Sequence, residues 1–579
     1  MAKPSLGLCA GLLWCVASPL YAADTTYTLE ATNGSVRPLL GINIGPLGTG
    51  AAGNPALTTS YQQLGVNLIR THDYYDPLDM ATLYPDRSKD PDAQSSFNFT
   101  GKVGGDFRSS DDVFGSIVNN GFEPFFRLGD SYNNAKPPTD SERANWVKAA
   151  VNVLKHYRQG QWGGFQSNFR YVEIWNEPDN VVFWPRPYTP TQFHQLYDAT
   201  AKAVRAAFPE LKIGGPGLTP SGCLSDSGKR WTTAFLDYVK QNNTPLDYFS
   251  WHMYSNAPAD YAACAAYYRS ALDERGFTQV PTLLTEWNTS AEGNTLSSEE
   301  KLALRTKAKG AAILTGAWIA LQQRDDVAQT LFYRGPDPSM DAPFFYGIYY
   351  ANGQPKKIAQ AWALWKDISS YTKRLKTTAS SSNANLHLLA AENDTGTRAL
   401  LMSNTGTATE TWKVSLPSGN TLADYTVTLK TVSDSSTNIV TSTFTGDTLT
   451  IPSHTVQLLT LSPKTTSSFS VTANTTGTPP VLSLSAVLNV EGADVGKNGQ
   501  VFLVAVVGGS LFAHKGTTWQ PVSAAIPAWR TGSLTATTTI PVFTSLDIRS
   551  LKGVQVWAGY GLSAEDMLAR KLYGLVQGY

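Results

Sequence analysis

Residues 170–215 read RYVEIWNEPDNVVFWPRPYTPTQFHQLYDATAKAVRAAFPELKIGG. The opening run, 170–177, is rich in β-branched and aromatic residues and suits a buried strand. Thr189 can then cap a helix, Pro190 sits at its first position, and Gln192 completes a capping box ahead of Phe193, Leu196 and Tyr197. A second strand-like run follows at 211–215, so the stretch is one strand–helix–strand unit. The same alternation extends in both directions, with further runs at 40–44, 66–72, 123–128, 246–254, 281–288 and 327–334. The gaps between them are long enough for a helix. Eight parallel units in succession predict an α/β fold, a closed (β/α)8 TIM barrel over residues 36–370. An open doubly wound sheet gives the same pattern, because strand order is not written in a sequence. A single strong helix is expected over 301–321.

Beyond residue 371 Ser and Thr rise, helical periodicity stops, and alternating runs at 411–416, 425–431 and 455–461 predict a β-sandwich over 371–463. Residues 24–35 also alternate and are expected to pair with that sandwich. Half of residues 461–480 are Ser or Thr, and the segment ends in Pro479-Pro480, so 464–480 is read as a linker. A further β-rich C-terminal domain is expected over 481–579, with Trp519, Trp529 and Trp557 looking exposed.

The first 22 residues read as an export signal: Lys3, an apolar run over 6–16, and a small-residue exit with cleavage near Ala22. Trp14 ahead of Cys15 argues against lipidation, so a secreted or periplasmic protein is expected. Two cysteines, Cys223 and Cys264, remain after removal of the signal, and in an oxidising compartment the simplest reading is one disulfide. Lys plus Arg and Asp plus Glu both number 46 in the 579 residues, a net charge of zero that provides no field for nucleic acid. The seven His show no metal-ligand spacing, and the longest apolar helix candidate, 310–321, is too short for a membrane span. No metal or organic cofactor is expected.

In a barrel of this kind the working residues stand at the carboxyl ends of the strands. The fourth run ends Trp175-Asn176-Glu177-Pro178-Asp179, and alternation places Glu173, Trp175 and Glu177 on one face. The seventh ends Thr285-Glu286-Trp287-Asn288. Glu177 and Glu286 would face each other across the mouth, the equipment of glycoside hydrolysis. Glu173 lies deeper and suits an ion pair with a buried Arg. His252 and Tyr254 share a face of the sixth strand, where a phenol can help keep Glu286 ionised and Arg70 can hold it. Trp184, Trp287 and Tyr333 are candidate sugar platforms, with packing an equal alternative for the last two. Asp130 and Tyr132 are candidate hydroxyl contacts. His72 suits either a structural or a site role.

These motifs, with His252-Met253-Tyr254 and Arg70-Thr71-His72, resemble glycoside hydrolase family 39 over residues 36–370 and its trailing β-sandwich. The resemblance implies Glu177 as general acid/base, Glu286 as nucleophile, Asn176 as a partner of the sugar 2-hydroxyl, Tyr254 as a donor orienting Glu286, and retention of anomeric configuration. The eighth run, Thr330-Leu331-Phe332-Tyr333-Arg334-Gly335, departs from the family's xylosidases. That departure, the export signal and the third domain favour internal cleavage of a bacterial exopolysaccharide or plant-wall glycan. An exo-acting β-xylosidase and a non-catalytic carbohydrate-binding matrix protein are the alternatives. The expected partner is a polysaccharide or oligosaccharide.

Overall fold

The computed structural model describes residues 25–46, 56–103, 108–132, 134–292, 295–342, 344–464 and 469–579. The expected export signal lies outside them. The chain divides into two compact units, Met1–Ser462 and Pro463–Tyr579.

The first unit opens with β1 (Thr25–Thr32) and continues into eight strands: β2 (Gly41–Asn43), β3 (Leu68–Arg70), β4 (Glu123–Leu128), β5 (Tyr171–Ile174), β6 (Lys212–Leu218), β7 (Tyr248–Tyr254), β8 (Thr282–Asn288) and β9 (Val327–Phe332). Each pairs with the next in parallel, and β9 returns to β2 with Gly41 opposite Leu331 and Ile42 opposite Phe332. The barrel is therefore closed. The capping box at Thr189 and Gln192 forms and starts the helix Pro190–Ala207.

Inside the barrel, Leu68, Phe125, Tyr248, Leu283 and Leu331 make an apolar layer near the strand beginnings, with Tyr171 packed against it. The alternate side chains, among them Ile69, Phe126, Val172, Ile213, Phe249 and Leu284, face outward into the core shared with the helices. Above the apolar layer the filling turns polar, with Asn43, Arg70, Glu173 and Thr285 all buried.

The expected helix over 301–321 is two helices, Ser298–Thr306 and Ala308–Gln322, broken at extended Lys307. Gly310 is what the break requires: a Cβ there would lie 1.9 Å from the Leu304 carbonyl oxygen. Asp434 accepts from the Ala308 N–H at 3.0 Å and starts the second helix.

The strands that follow are β10 (Lys373–Ala379), β11 (Leu386–Glu392), β12 (Arg398–Asn404), β13 (Glu410–Ser415), β14 (Tyr425–Val432), β15 (Val440–Phe444), β16 (Leu449–Ile451) and β17 (Thr455–Pro463). With β1 they form one nine-stranded sheet in the order β15-β14-β17-β12-β11-β10-β1-β13-β16. The N-terminal strand is thus an inner member, antiparallel to β10 and parallel to β13. One set of side chains, including Tyr27, Leu388, Leu400, Met402, Trp412 and Leu459, forms the sheet's own core. The other, including Leu389, Ala391, Leu401 and Leu458, joins the barrel core.

The linker expected over 464–480 is corrected. Ser470–Thr478 is a strand, β18, paired antiparallel along its length with β19 (Val481–Asn489). Composition misled because Thr, which makes the segment look like a linker, is also β-branched and suits an exposed strand. The remaining strands of the second unit are β20 (Asn498–Val507), β21 (Ser510–Lys515), β22 (Thr518–Pro521), β23 (Arg530–Ser533), β24 (Thr537–Asp547), β25 (Gln555–Gly561) and β26 (Tyr573–Gly578). Two sheets, β18-β19-β24 and one built on β20, share a core that includes Leu484, Leu488, Leu503, Ile540 and Tyr560. Trp519 is exposed, whereas Trp529 and Trp557 are half-buried. Among the described residues no helix is long and apolar enough to cross a membrane.

Candidate active site

Two local departures from regular strand geometry aim the key carboxyls. β5 stops at Ile174, after which Trp175 and Glu177 both adopt positive φ, 75° and 43°. Such backbone costs about 1–3 kcal/mol per residue and persists only where the surroundings hold it. Here the Trp175 N–H donates to the Leu128 carbonyl at 2.6 Å and the Glu177 N–H to the Gly217 carbonyl at 3.0 Å. Gly217 is itself at φ +64°, and a Cβ there would lie 3.1 Å from His252 Nε2. The expected common face of Glu173, Trp175 and Glu177 is therefore broken: Trp175 is buried in the outer core, while Glu177 turns to the barrel mouth. On β8 a bulge leaves Thr285 unmatched between the pairs Trp251–Leu284 and His252–Glu286. Thr285 and Glu286 consequently both point inward, which simple alternation from Leu283 would forbid.

Glu177 and Glu286 are 8% and 5% exposed. One oxygen of each lies within 4.8 Å of the other, with a His252 ring nitrogen among them. His252 Nδ1 is 2.9 Å from Glu177 Oε1 and 3.5 Å from Glu286 Oε2. Glu286 has a dense set of further partners. Arg70 Nη1 donates to Oε1 at 2.7 Å, His72 Nε2 is 3.2 Å from the same oxygen, and the Tyr254 hydroxyl donates to Oε2 at 2.8 Å. Glu177 has His252 on one oxygen and Asn180 Nδ2 at 2.9 Å on the other, with no Lys or Arg in contact among the described residues.

Burial pushes the Glu177 carboxyl up to about 7, only partly opposed by the Asn180 hydrogen bond and the Arg70 charge. Burial also pushes Glu286 up, against the pull of His252 and Arg70. Burial and the neighbouring Arg70 charge hold His72 well below the usual histidine range, so its imidazole is neutral. A guanidinium in direct contact with Glu286 and none with Glu177 decides where a shared proton resides: on Glu177.

Arg70 is the hub of the polar layer. It donates to Glu173 Oε2 at 2.6 Å, Asn43 Oδ1 at 3.0 Å, Glu286 and Asn176 Oδ1 at 2.7 Å. Thr285 completes Glu173 at 2.9 Å. Arg70 thus positions the site from below and does not line the cleft. Arg70→Met should leave two buried carboxylates without their counter-charge and cost about 3–5 kcal/mol. Urea denaturation at neutral pH checks this, and a loss below about 1 kcal/mol would remove Arg70 from its central place.

Above the carboxyls opens a cleft of about 590 Å³ lined by His72, Asp73, Tyr75, Tyr132, Glu177, Asn180, Phe183, Tyr254, Glu286, Tyr333, Phe345 and Tyr346. Tyr132, 49% exposed, packs edge-on to Phe183. Tyr333 donates to Asp73 Oδ2 at 2.6 Å and packs against Tyr254 and Tyr346. Asn176 is buried beside the carboxyls, and its Nδ2 has no hydrogen-bond partner among the described residues. An orphaned donor at that place is suited to a ligand hydroxyl.

Three expected contacts are corrected. Trp184 is buried against Trp175 and Phe193, its indole N–H donating to the Thr189 carbonyl at 2.9 Å. Trp287 points outward and stacks on Trp365 at 5.8 Å. Asp130 is buried and accepts the backbone N–H groups of Ala81 at 2.8 Å and Lys136 at 2.9 Å. All three support loops and packing rather than sugar. Asp73, Tyr75, Asn180, Phe183, Phe345 and Tyr346 escaped the sequence reading. Of these, Asp73 and Asn180 carried a signal, standing directly after Arg70-Thr71-His72 and after Trp175-Asn176-Glu177-Pro178-Asp179. Cys223 and Cys264 are bonded to each other.

The Glu177, His252 and Glu286 donors are also a set that a divalent ion can accept. Arg70 already supplies the positive charge on Glu286 and opposes a second one there.

Residues 51–292 match the model of glycosyl hydrolases family 39. The match covers most of the barrel, which is similar to the glycosyl hydrolases of family 39. Curated relatives of this barrel include a β-xylosidase of Geobacillus stearothermophilus, 27% identical over 175 residues, covering 27% of this chain and 33% of that protein. Another is a β-xylosidase of Caldicellulosiruptor saccharolyticus, 24% identical over 257 residues, covering 39% and 47%. The chain therefore spans a third to a half of the length of these relatives. Among solved structures, a glucosidase from Croceicoccus marinus superposes with a TM-score of 0.59 at 24% identity, covering 76% of this chain and 99% of that one. At that identity the likeness extends to the fold.

Proposed function

We propose that the protein is a retaining glycoside hydrolase that releases a neutral terminal sugar by double displacement. The observation that carries this reading is the pair of carboxyls with oxygens within 4.8 Å, one held by a guanidinium and the other not. That spacing suits a retaining pair, whose carboxyls stand about 5–5.5 Å apart, and leaves no room for the water an inverting enzyme places between them. Glu286 attacks the anomeric carbon while Glu177 gives its proton to the leaving oxygen. Glu177 then takes a proton from the water that displaces Glu286.

A neutral sugar is supported by the lining. It includes Asp73, Glu177 and Glu286 but no Lys or Arg among the described residues, while Arg70 and Arg334 are fully buried. The undescribed residues between 46 and 344 include no Lys or Arg either. A uronic acid would bring its carboxylate into this field without a partner. The relatives named β-xylosidases support terminal release from neutral β-glycosides. Internal cleavage of a secreted polysaccharide remains a second reading, on the eighth-strand sequence Thr330 to Gly335. Export is supported by the apolar run after Lys3 and by the Cys223–Cys264 bridge.

The test compares aryl β-xyloside, β-glucoside and β-glucuronide, then chromatographs the products of xylo- and gluco-oligosaccharides. A neutral glycoside should be turned over at least a hundredfold faster than the glucuronide, an effect of about 3 kcal/mol, with monosaccharide as the first product. A ladder of oligosaccharides would favour internal cleavage, and binding without turnover would leave a carbohydrate-binding protein.

A further inference from the structure

Asn180 stands three residues beyond Glu177 and is held in place with unusual completeness. Its Oδ1 accepts the backbone N–H of Val182 at 3.0 Å and its Nδ2 lies 2.9 Å from Glu177 Oε2. A backbone N–H can only donate, so the amide oxygen must face Val182 and the NH2 must face Glu177. The Asn180 N–H donates to the Glu177 carbonyl at 2.9 Å, and the Asn180 carbonyl accepts from Phe183 at 3.0 Å and Trp184 at 2.8 Å. The turn that fixes this side chain is thus built on Glu177 itself. On the other oxygen of Glu177 stands His252 Nδ1, while His252 Nε2 is buried with no hydrogen-bond partner among the described residues. The tautomer that orphans no N–H carries its proton on Nδ1 and donates to Oε1.

Building on the glycosidase reading, we propose that Asn180 is a positioning residue whose locked N–H holds the ionised form of Glu177 by the oxygen that His252 does not hold. In the first step Glu177 loses its proton to the leaving oxygen as the C–O bond breaks and the Glu286 ester forms. Glu177 is then an anion in a buried site, and Asn180 with His252 satisfies both of its oxygens. In the second step a water oxygen bonds to the anomeric carbon, the ester bond breaks, and the water proton returns to Glu177. An N–H on Oε2 keeps the carboxylate aimed while it waits for that water.

The charged and titratable groups that face Glu177 are few. Arg70 favours its ionised form and Asp73 opposes it. Glu286 lies across the cleft with Tyr254 bonded to it. Asp179, held up to about 6 by burial and by Glu177, is bonded away from the cleft, accepting from the Thr219 hydroxyl at 2.6 Å and its N–H at 3.1 Å.

Asn180→Asp separates positioning from a merely structural role, because it keeps the acceptor for Val182 but replaces the donor to Glu177 by an oxygen. In the full chain, the basic limb of kcat/KM should move up by about one pH unit in Asn180→Ala, and further in Asn180→Asp. With an activated aryl glycoside the second step should slow by about tenfold, seen as a pre-steady-state burst. An Asn180→Asp enzyme with the parent's limb and no burst would overturn the proposal, whether or not Asn180→Ala folds. Titration of carbon-13-labelled Glu carboxyls, assigned with Glu177→Gln, reads the same shift without turnover. If the parent hydrolyses no aryl glycoside the glycosidase reading fails, while an unmoved Glu177 titration in Asn180→Asp would sink the role of Asn180 by itself.

Discussion

Glu286→Gln should lower turnover by about 10⁴-fold or more on every substrate, activated leaving groups included, while sugar binding survives. The amide has the shape of the carboxylate but cannot form the glycosyl ester. It offers one oxygen where the native side chain serves Arg70 on Oε1 and Tyr254 on Oε2. Because the missing step precedes any product, a better leaving group gives no relief. The smaller Glu286→Ala leaves space beside Arg70 for an external anion, so azide should restore activity and yield a glycosyl azide of the opposite anomeric configuration. Steady-state kinetics with isothermal titration of a monosaccharide checks the first part. Activity within tenfold of the parent would take the nucleophile's role from Glu286.

Glu177→Ala should divide substrates by leaving group. An alkyl glycoside or oligosaccharide needs a proton as the bond breaks and should lose about 10²–10⁴-fold, whereas a dinitrophenyl glycoside should form the intermediate at nearly the parent rate. The pH profile supplies the second signature. In the parent, activity requires Glu177 protonated, so it falls as pH rises through about 7. It also requires Glu286 ionised, so it falls again as pH drops through the Glu286 carboxyl, giving a bell. In Glu177→Ala the basic limb should vanish and the acidic limb remain. Equal losses on good and poor leaving groups, or a surviving basic limb near 7, would mean that another group is the acid.

The barrel was legible because parallel strands buried on both faces leave near-continuous apolar runs, and because helix starts such as Thr189-Pro190-Thr191-Gln192 carry their own caps. Closure was not legible, since it depends on Gly41 and Ile42 meeting Leu331 and Phe332 some 290 residues later. Of the site, the residues aimed by regular alternation, His252 and Tyr254, were readable from spacing. Those aimed by irregular backbone were misread or readable only as a motif. Positive φ at Trp175 sends that ring to the outer core, and the bulge at Thr285 turns Glu286 inward with its neighbour. Trp184 and Trp287 misled because an aromatic beside a strand end looks the same in sequence whether it faces a sugar or a helix, and only the packing against Trp175 and Trp365 decides. The cleft walls from Phe183, Phe345 and Tyr346 come from loops whose positions no local pattern encodes.

One measurement bears most directly on the opposed carboxyls: proton NMR of the first sugar released from an aryl β-glycoside, recorded before mutarotation. With Glu286 bonded to the anomeric carbon from one side and water entering from the same side as the departed aglycone, the initial product should be the β anomer. An initial α anomer would mean a single displacement by water, and would contradict the assignment of Glu286 as nucleophile.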